Sequence, residues 1–263
     1  MTGPGGRSSR TVWSHTFSDA MVMTRRNLLH YVRVPSLVIF STITPVMFVV
    51  LFGFVFGGAI PIPGIKYLDY LMPGIFVQTV AFGSIQTGIG LAEDQQRGII
   101  DRLRSLPMAR SAVLAGRTLS DCLRNLLVVV LMTVVGLLIG FRFHARPSAI
   151  LGGLALVVLF AFAFSFISAA IGLSLDTVEA AQSAGFVWVF PLTFASSAFV
   201  PVLTMPGWLQ AFAKVNPVTI TVDAVRLLFQ GQAAGTQVVR SVAWMALILV
   251  VFVPLSVWRY RRA

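Results

Sequence analysis

The side chains able to do covalent or acid–base chemistry are few in this chain of 263 residues: nine carboxylates, three histidines, one cysteine and 20 basic residues. Only two of the basic residues are lysines, Lys66 and Lys214, and neither follows the glycine run of a phosphate-cradling G-x-x-x-x-G-K-[ST] loop. The chain therefore cannot itself be a nucleotide-hydrolysing subunit of that kind. It has no H-E-x-x-H pair for a metalloprotease and no G-x-S-x-G elbow for a serine hydrolase. His15, His30 and His144 are scattered without metal-ligand spacing, and the lone Cys122 has no intrachain disulfide partner. Catalysis has no visible foothold, no metal site is expected, and the chain reads as a non-enzyme.

What remains is chemistry of recognition. Phe76, Gln78, Phe82 and Gln86 lie along one apolar stretch, and Phe186, Trp188, Phe190, Phe194 and Phe199 along another. Apolar surfaces with a few polar groups suit lipophilic ligands. Gln78, Phe82, Gln86, Phe186, Phe190 and Phe194 are accordingly the candidates for lining a substrate path. No carboxylate falls near the middle of an apolar stretch, where an ion-coupled transporter would need one. Asp121 and Arg124 can pair one helical turn apart at the mouth of an apolar stretch, a structural role at an interface. Two G-x-x-x-G pairs, Gly53 with Gly57 and Gly136 with Gly140, permit close helix approach.

The elements that must position these residues follow from composition. With 57% hydrophobic and 11% charged residues, and a mean hydropathy of +0.86, the chain lacks the polar side chains to cover a water-facing surface. Charge-free windows divide it into six spans near Pro35 to Gly58, Tyr70 to Leu91, Leu119 to Phe141, Ala149 to Leu173, Gln182 to Leu203 and Thr236 to Trp258. An all-α integral membrane protein with six transmembrane helices is expected. The net charge of +11 would suit nucleic acid, but with both termini inside, fourteen of the 20 basic residues fall on the cytoplasmic side. That is the positive-inside pattern, and it leaves no basic face standing free for a duplex. A multi-pass protein of the cell membrane, termini cytoplasmic, is the expected localisation.

Three connections are larger than turns. Over Val12 to Val34, Trp13, Phe17, Met21, Leu28 and Tyr31 share one helical face opposite His15, Asp19, Arg25 and Arg26, which predicts an amphipathic helix in the cytoplasmic leaflet. Glu93 to Asp121 contains a short amphipathic helix with Ile99, Ile100, Leu103 and Leu106 as an apolar ridge, ended by Pro107; its pattern fits either docking to a partner or lying on the membrane. Thr204 to Gly235 holds two apolar pieces too short to span, Pro206 to Val215 and Pro217 to Gln230, each begun by proline and broken at Asn216 and Pro217. They predict a re-entrant or surface hairpin on the outer side, with Asp223 and Arg226 paired on one face. The organisation expected is a tail and interfacial helix over residues 1–34, a transmembrane domain over 35–258, and a basic cytoplasmic tail over 259–263.

Two stretches carry a family resemblance that extends over essentially the whole chain. Gly98-Ile-Ile-Asp-Arg-Leu-Arg-Ser-Leu-Pro-Met-Ala-Arg110 is similar to the cytoplasmic segment after span two of ABC-2 type permeases of the daunorubicin-resistance-like efflux group. Phe199-Val-Pro-Val-Leu-Thr-Met-Pro-Gly-Trp-Leu209, with Asn216-Pro217 and Asp223 through Arg226, resembles that family's outer-side signature. The resemblance implies the transmembrane permease of an ATP-driven exporter, which moves a lipophilic drug or lipid outward by alternating access. ATP and Mg would be bound by two separate nucleotide-binding ATPase subunits and no cofactor by this chain. A second permease, identical or different, would complete the pore, in contact with membrane lipids. It further implies a coupling helix with Glu93, Gly98, Asp101, Leu106, Pro107 and Arg110 as coupling residues, and an outer hairpin marked by Pro206, Trp208, Asn216, Pro217, Asp223 and Arg226. A secondary transporter or channel working without an ATPase is the alternative reading.

Overall fold

The computed structural model describes the backbone of residues 35–55, 62, 64–99 and 110–262, with the side chains of 43–55, 62, 64–99, 118 and 120–260. The described residues are all-helical, with no strand among them: α1 (Pro35–Val55), α2 (Tyr67–Gln96), α3 (Arg110–Ile139), α4 (Pro147–Gly172), α5 (Val178–Phe194), a 3₁₀ turn (Val202–Thr204), α6 (Gly207–Val215), α7 (Pro217–Phe229) and α8 (Gly235–Arg262). The expected interfacial helix over 12–34 lies outside these residues.

Four helices among the described residues are long and apolar enough to cross a membrane: Tyr67–Gln96, Ser120–Ile139 within α3, Pro147–Gly172, and Gly235–Tyr260 within α8. The expected spans two, three, four and six fall on them. Span one coincides with α1, whose apolar described stretch is Ile43–Val55. Span five is corrected. Its helix begins at Val178 and ends at Phe194, nine residues short of the expected Leu203, and the chain then runs through turns to the 3₁₀ turn.

Local sequence explains the other boundaries. Thr177 caps α5 by accepting from the Ala180 N–H at 3.2 Å, and Asn216 caps α7 by accepting from the Val218 N–H at 2.9 Å, with Pro217 following where its missing N–H costs nothing. Gly140, at φ +117°, ends α3 in a conformation that side chains disfavour. There the second glycine of an expected G-x-x-x-G pair serves as a helix stop.

α2 is the hub of the bundle. It packs against α1, α3, α4, α5 and α7, and Leu71, Met72, Ile75, Phe76, Val77, Val80 and Ala81 are fully buried. α4 lies closest to it. A Cβ added to Gly172 would run into the carbonyl of Gly88, and one added to Gly88 into the carbonyl of Ser168. The Ser84 and Ser168 hydroxyls meet at 3.2 Å in the same seam. Backbone-to-backbone approach therefore falls on α2 and α4. At the G-x-x-x-G positions, Gly136 faces the flexible end of Met72 and Gly53 the side chain of Leu68.

At the end of the bundle that carries α6, Phe76, Phe141, Phe143 and Phe229 interlock edge to face, with Phe143 and Phe229 centroids 4.9 Å apart. At the opposite end Tyr260 of α8 is buried against Leu91, Ala169 and Leu173.

Candidate functional site

Helical spacing puts Phe186, Phe190 and Phe194 on one stripe of α5, and Gln78, Phe82 and Gln86 on one stripe of α2. The fold sets the two stripes against each other. Phe82 lies 5.9 Å from Phe186 and 5.6 Å from Phe190, ring centroid to centroid, the second pair edge to face. Phe190 stacks on Phe194 at 4.6 Å, and Phe194 on Phe199 at 5.3 Å. Phe199 continues to Phe52 at 4.8 Å, and Phe52 to Phe48 at 5.7 Å. The result is an unbroken aromatic ladder from α2 along α5 to α1.

Phe199 is part of the core, with Phe48, Phe52 and Phe82 packed against it, but the α5 side of the ladder stays open. Phe186, Phe190 and Phe194 remain 40%, 47% and 39% exposed, and Gln86 is exposed beside them. A half-open row of rings offers flat apolar surface and electron-rich faces to a lipophilic or cationic aromatic molecule. Gln78 is placed differently: it is buried, and its side-chain oxygen has no hydrogen-bond partner within the chain. Trp188 leaves the stripe altogether and packs on Phe164 of α4 at 5.2 Å.

Sequence reasoning missed Phe48 and Phe52. Their i, i+4 spacing on the first span was the available signal, but nothing local shows that this face meets Phe199.

The segment that carries Phe199 is held by a polar knot built from α7. Arg226 donates through Nη1 to Asp223 at 2.7 Å, through Nη2 to the Ser197 carbonyl at 2.8 Å, and through Nε to the Tyr70 carbonyl at 3.1 Å. Its guanidinium also lies 3.6 Å over the Tyr70 ring. The Ser197 hydroxyl donates to Asp223, and the Tyr70 hydroxyl donates to the Ser197 carbonyl at 3.0 Å. Asn216 donates to the carbonyls of Leu192 and Ala195 at 2.7 and 3.0 Å, and Tyr67 to that of Phe199 at 3.1 Å.

Asp223, Arg226 and Asn216, singled out in the sequence, thus converge on residues 192–199. Tyr67, Tyr70 and Ser197 complete the knot; paired tyrosines at the start of a span, whose hydroxyls need partners, were the overlooked signal. The other hairpin residues stand apart. Pro206 is the N-cap position of α6, Pro217 opens α7, and Trp208 is 76% exposed on α6.

At the other end, α2 stops where Gly98 turns to φ +64°. Glu93 pairs with Arg97 at 2.6 Å on the last helical turn, and Gln96 donates to the Asp176 carbonyl at 3.1 Å. Asp101, Leu106 and Pro107 lie outside the described residues, and Arg110 is the first residue of α3, its side chain not described. α3 begins nine residues before the expected Leu119. Asp121 and Arg124 are therefore inside the helix, at the first turn of its apolar stretch Ser120–Ile139; they pair at 3.9 Å as the spacing suggested, and both are buried against the bundle.

The chain matches the family model described as "ABC-2 type transporter" over residues 19–229. It is 33% identical over 236 residues to the daunorubicin resistance ABC transporter permease protein DrrB1 of Streptomyces coeruleorubidus, covering 90% of this chain and 83% of that one. It is 26% identical over 262 residues to the probable doxorubicin resistance ABC transporter permease protein DrrC of Mycobacterium tuberculosis, covering 99% and 93%. A putative transport permease, ycf38, of Cyanophora paradoxa is 28% identical over 226 residues, covering 84% and 78%. With the family model spanning most of its length, and all-helical apolar architecture to match, the chain belongs to the ABC-2 type transporter family.

Proposed function

We propose that the chain is the permease subunit of an ATP-binding cassette exporter that moves a lipophilic, planar aromatic or lipid-like compound outward. The observation that carries the substrate class is the half-open ladder Phe82, Phe186, Phe190 and Phe194, continued by Phe199 and Phe52. The daunorubicin and doxorubicin resistance permeases among its relatives point the same way.

In this reading α1 and α5 join the four longer helices as six spans, both termini are cytoplasmic, and α6 and α7 form the outer hairpin. A second permease, identical or different, faces the open side of the ladder, so that the substrate path runs between the two halves. Two ATPase subunits, which bind ATP and Mg, dock on the segment from Glu93 through Gly98, Asp101, Leu106 and Pro107 to Arg110. Their closure on ATP favours one arrangement of the halves over the other, which is what rigid-body alternating access requires.

Two results are expected. Coexpressed with an ATP-binding cassette ATPase subunit and reconstituted in nanodiscs, the chain copurifies with that ATPase, and doxorubicin stimulates hydrolysis only when both are present. Doxorubicin uptake by the chain alone, driven by a proton gradient without ATP, would sink the reading. Phe190→Ala removes ring contacts to Phe82 and Phe194. It also takes a half-open ring from the surface offered to the substrate. A ring contact with a bound aromatic molecule is worth about 0.5–1.5 kcal/mol, so the doxorubicin concentration for half-maximal stimulation rises by up to about tenfold.

A further inference from the structure

α2 and α3 are each 30 residues long, about 45 Å at 1.5 Å per residue, and the segment proposed to receive the ATPase joins them. α2 carries Phe82 of the ladder, and α3 runs beside it from Asp121 opposite Thr87 to Gly136 opposite Met72. How they are fastened decides whether a pull on the segment moves Phe82 or is lost as sliding between helices.

The fastening is polar and buried. Thr87 of α2 donates its hydroxyl to Asp121 Oδ2 of α3 at 2.6 Å. Arg124 donates through Nη2 to the Gly83 carbonyl at 2.7 Å, and its Nη1 lies 3.9 Å from Asp121 Oδ1. The helices approach closely here: a Cβ on Gly83 would meet the side-chain oxygen of Asn125, which would have to move aside. Asp121 and Arg124 are 1% and 8% exposed. Both charges sit in a low-dielectric interior, where hydrogen bonds to ionised groups are strong and costly to break. The carbonyl that Arg124 holds belongs to the residue after Phe82.

We infer that Thr87, Asp121 and Arg124 are positioning residues, a clamp that makes α2 and α3 move as one body and so carries motion of the 98–109 segment to the aromatic ladder. The inference rests on the exporter reading above. Apolar packing alone allows two helices to slip by small steps at little cost. A charged hydrogen bond to one fixed carbonyl does not.

The test uses the complex with its ATPase subunits in nanodiscs and Gln86→Cys as reporter. Position 86 is exposed beside the ladder, and the native Cys122 is buried and sets the background. With Thr87 intact, trapping by ATP and vanadate changes the maleimide reaction rate at position 86 severalfold. Thr87→Val keeps the shape and removes the donor to Asp121 but leaves the Arg124 bond to Gly83; it reduces that change while the ATPase rate and the amount of complex hold. Thr87→Ser restores it, and Arg124→Lys, which keeps the charge but shortens the reach to Gly83, reduces it. A full nucleotide-dependent change in Thr87→Val overturns the clamp alone. No nucleotide response with Thr87 intact overturns the exporter reading, and the clamp with it.

Discussion

Arg226→Met is expected to be among the most destabilising single changes in the chain, lowering stability by about 3 kcal/mol and the midpoint of thermal unfolding in detergent by about 10 °C. The guanidinium is spent in four directions at once: on Asp223, on the carbonyls of Ser197 and Tyr70, and on the Tyr70 ring. Removing it leaves the Asp223 carboxylate with the Ser197 hydroxyl as a donor but without its countercharge, and takes a charged donor from the carbonyls of Ser197 and Tyr70. A buried charge without its partner costs more than the net value of the bond it lost. Asp223 keeps a side chain one-third open, so water relieves part of that cost, which sets the loss at the lower end of the range for broken buried pairs. Arg226→Lys retains the attraction to Asp223 but cannot reach three acceptors from a single ammonium, and an intermediate loss is expected. Ser197→Ala removes one hydroxyl and is expected to cost about 1 kcal/mol. Size-exclusion chromatography after heating, with fluorescence detection, orders the three; an Arg226→Met midpoint equal to that of the unaltered chain would show that the knot does not hold residues 192–199 in place.

The knot also explains which parts of this fold were readable in the sequence. Apolar windows free of charge give the long helices, because hydrocarbon tolerates little else over 20 residues. The break at Asn216 and Pro217 is local chemistry and reads directly; the Thr177 cap is just as local but was not singled out. The aromatic stripe on α5 follows from i, i+4 spacing alone. The end of α5 does not. An apolar run from Gln182 to Leu203 reads as a continuing helix, and it stops at Phe194 because the carbonyls of Leu192, Ala195, Ser197 and Phe199 are taken by Asn216, Arg226, Tyr70 and Tyr67. Those donors come from 21 or more residues away in the chain, so no window shows them. The burial of Asp121 was hidden for a related reason. A charge at the start of an apolar stretch reads as a structural group at its mouth, and only the packing of Thr87 of α2 opposite makes it a buried one.

The second large effect is expected at a position that no motif marks. Gly172→Val places a Cβ into the carbonyl of Gly88, and the overlap is with backbone that no rotamer change can move aside. α2 and α4 must then separate. Leu91 and Ala169 are buried beside this contact, and Ser84 with Ser168 bridges the same seam, so separation opens packing and a hydrogen bond together. A loss of about 3 kcal/mol or more is expected, at the upper end for overpacking. Gly136→Ala is the discriminating control, because its new Cβ meets the flexible end of Met72, and a thioether side chain can swing away for about 1 kcal/mol or less. Gly152, inside α4 with open space around its missing Cβ, supplies the opposite sign: Gly152→Ala gains about 0.5–1 kcal/mol from helix propensity and the stiffer unfolded chain. Thermal unfolding in one detergent therefore ranks Gly172→Val far below the unaltered chain, Gly136→Ala just below it and Gly152→Ala above. Were Gly172→Val to melt with Gly136→Ala, α2 and α4 would not be in backbone contact. The lever arm from the Glu93–Gly98 turn to Phe82 would then have no rigid support on the α4 side.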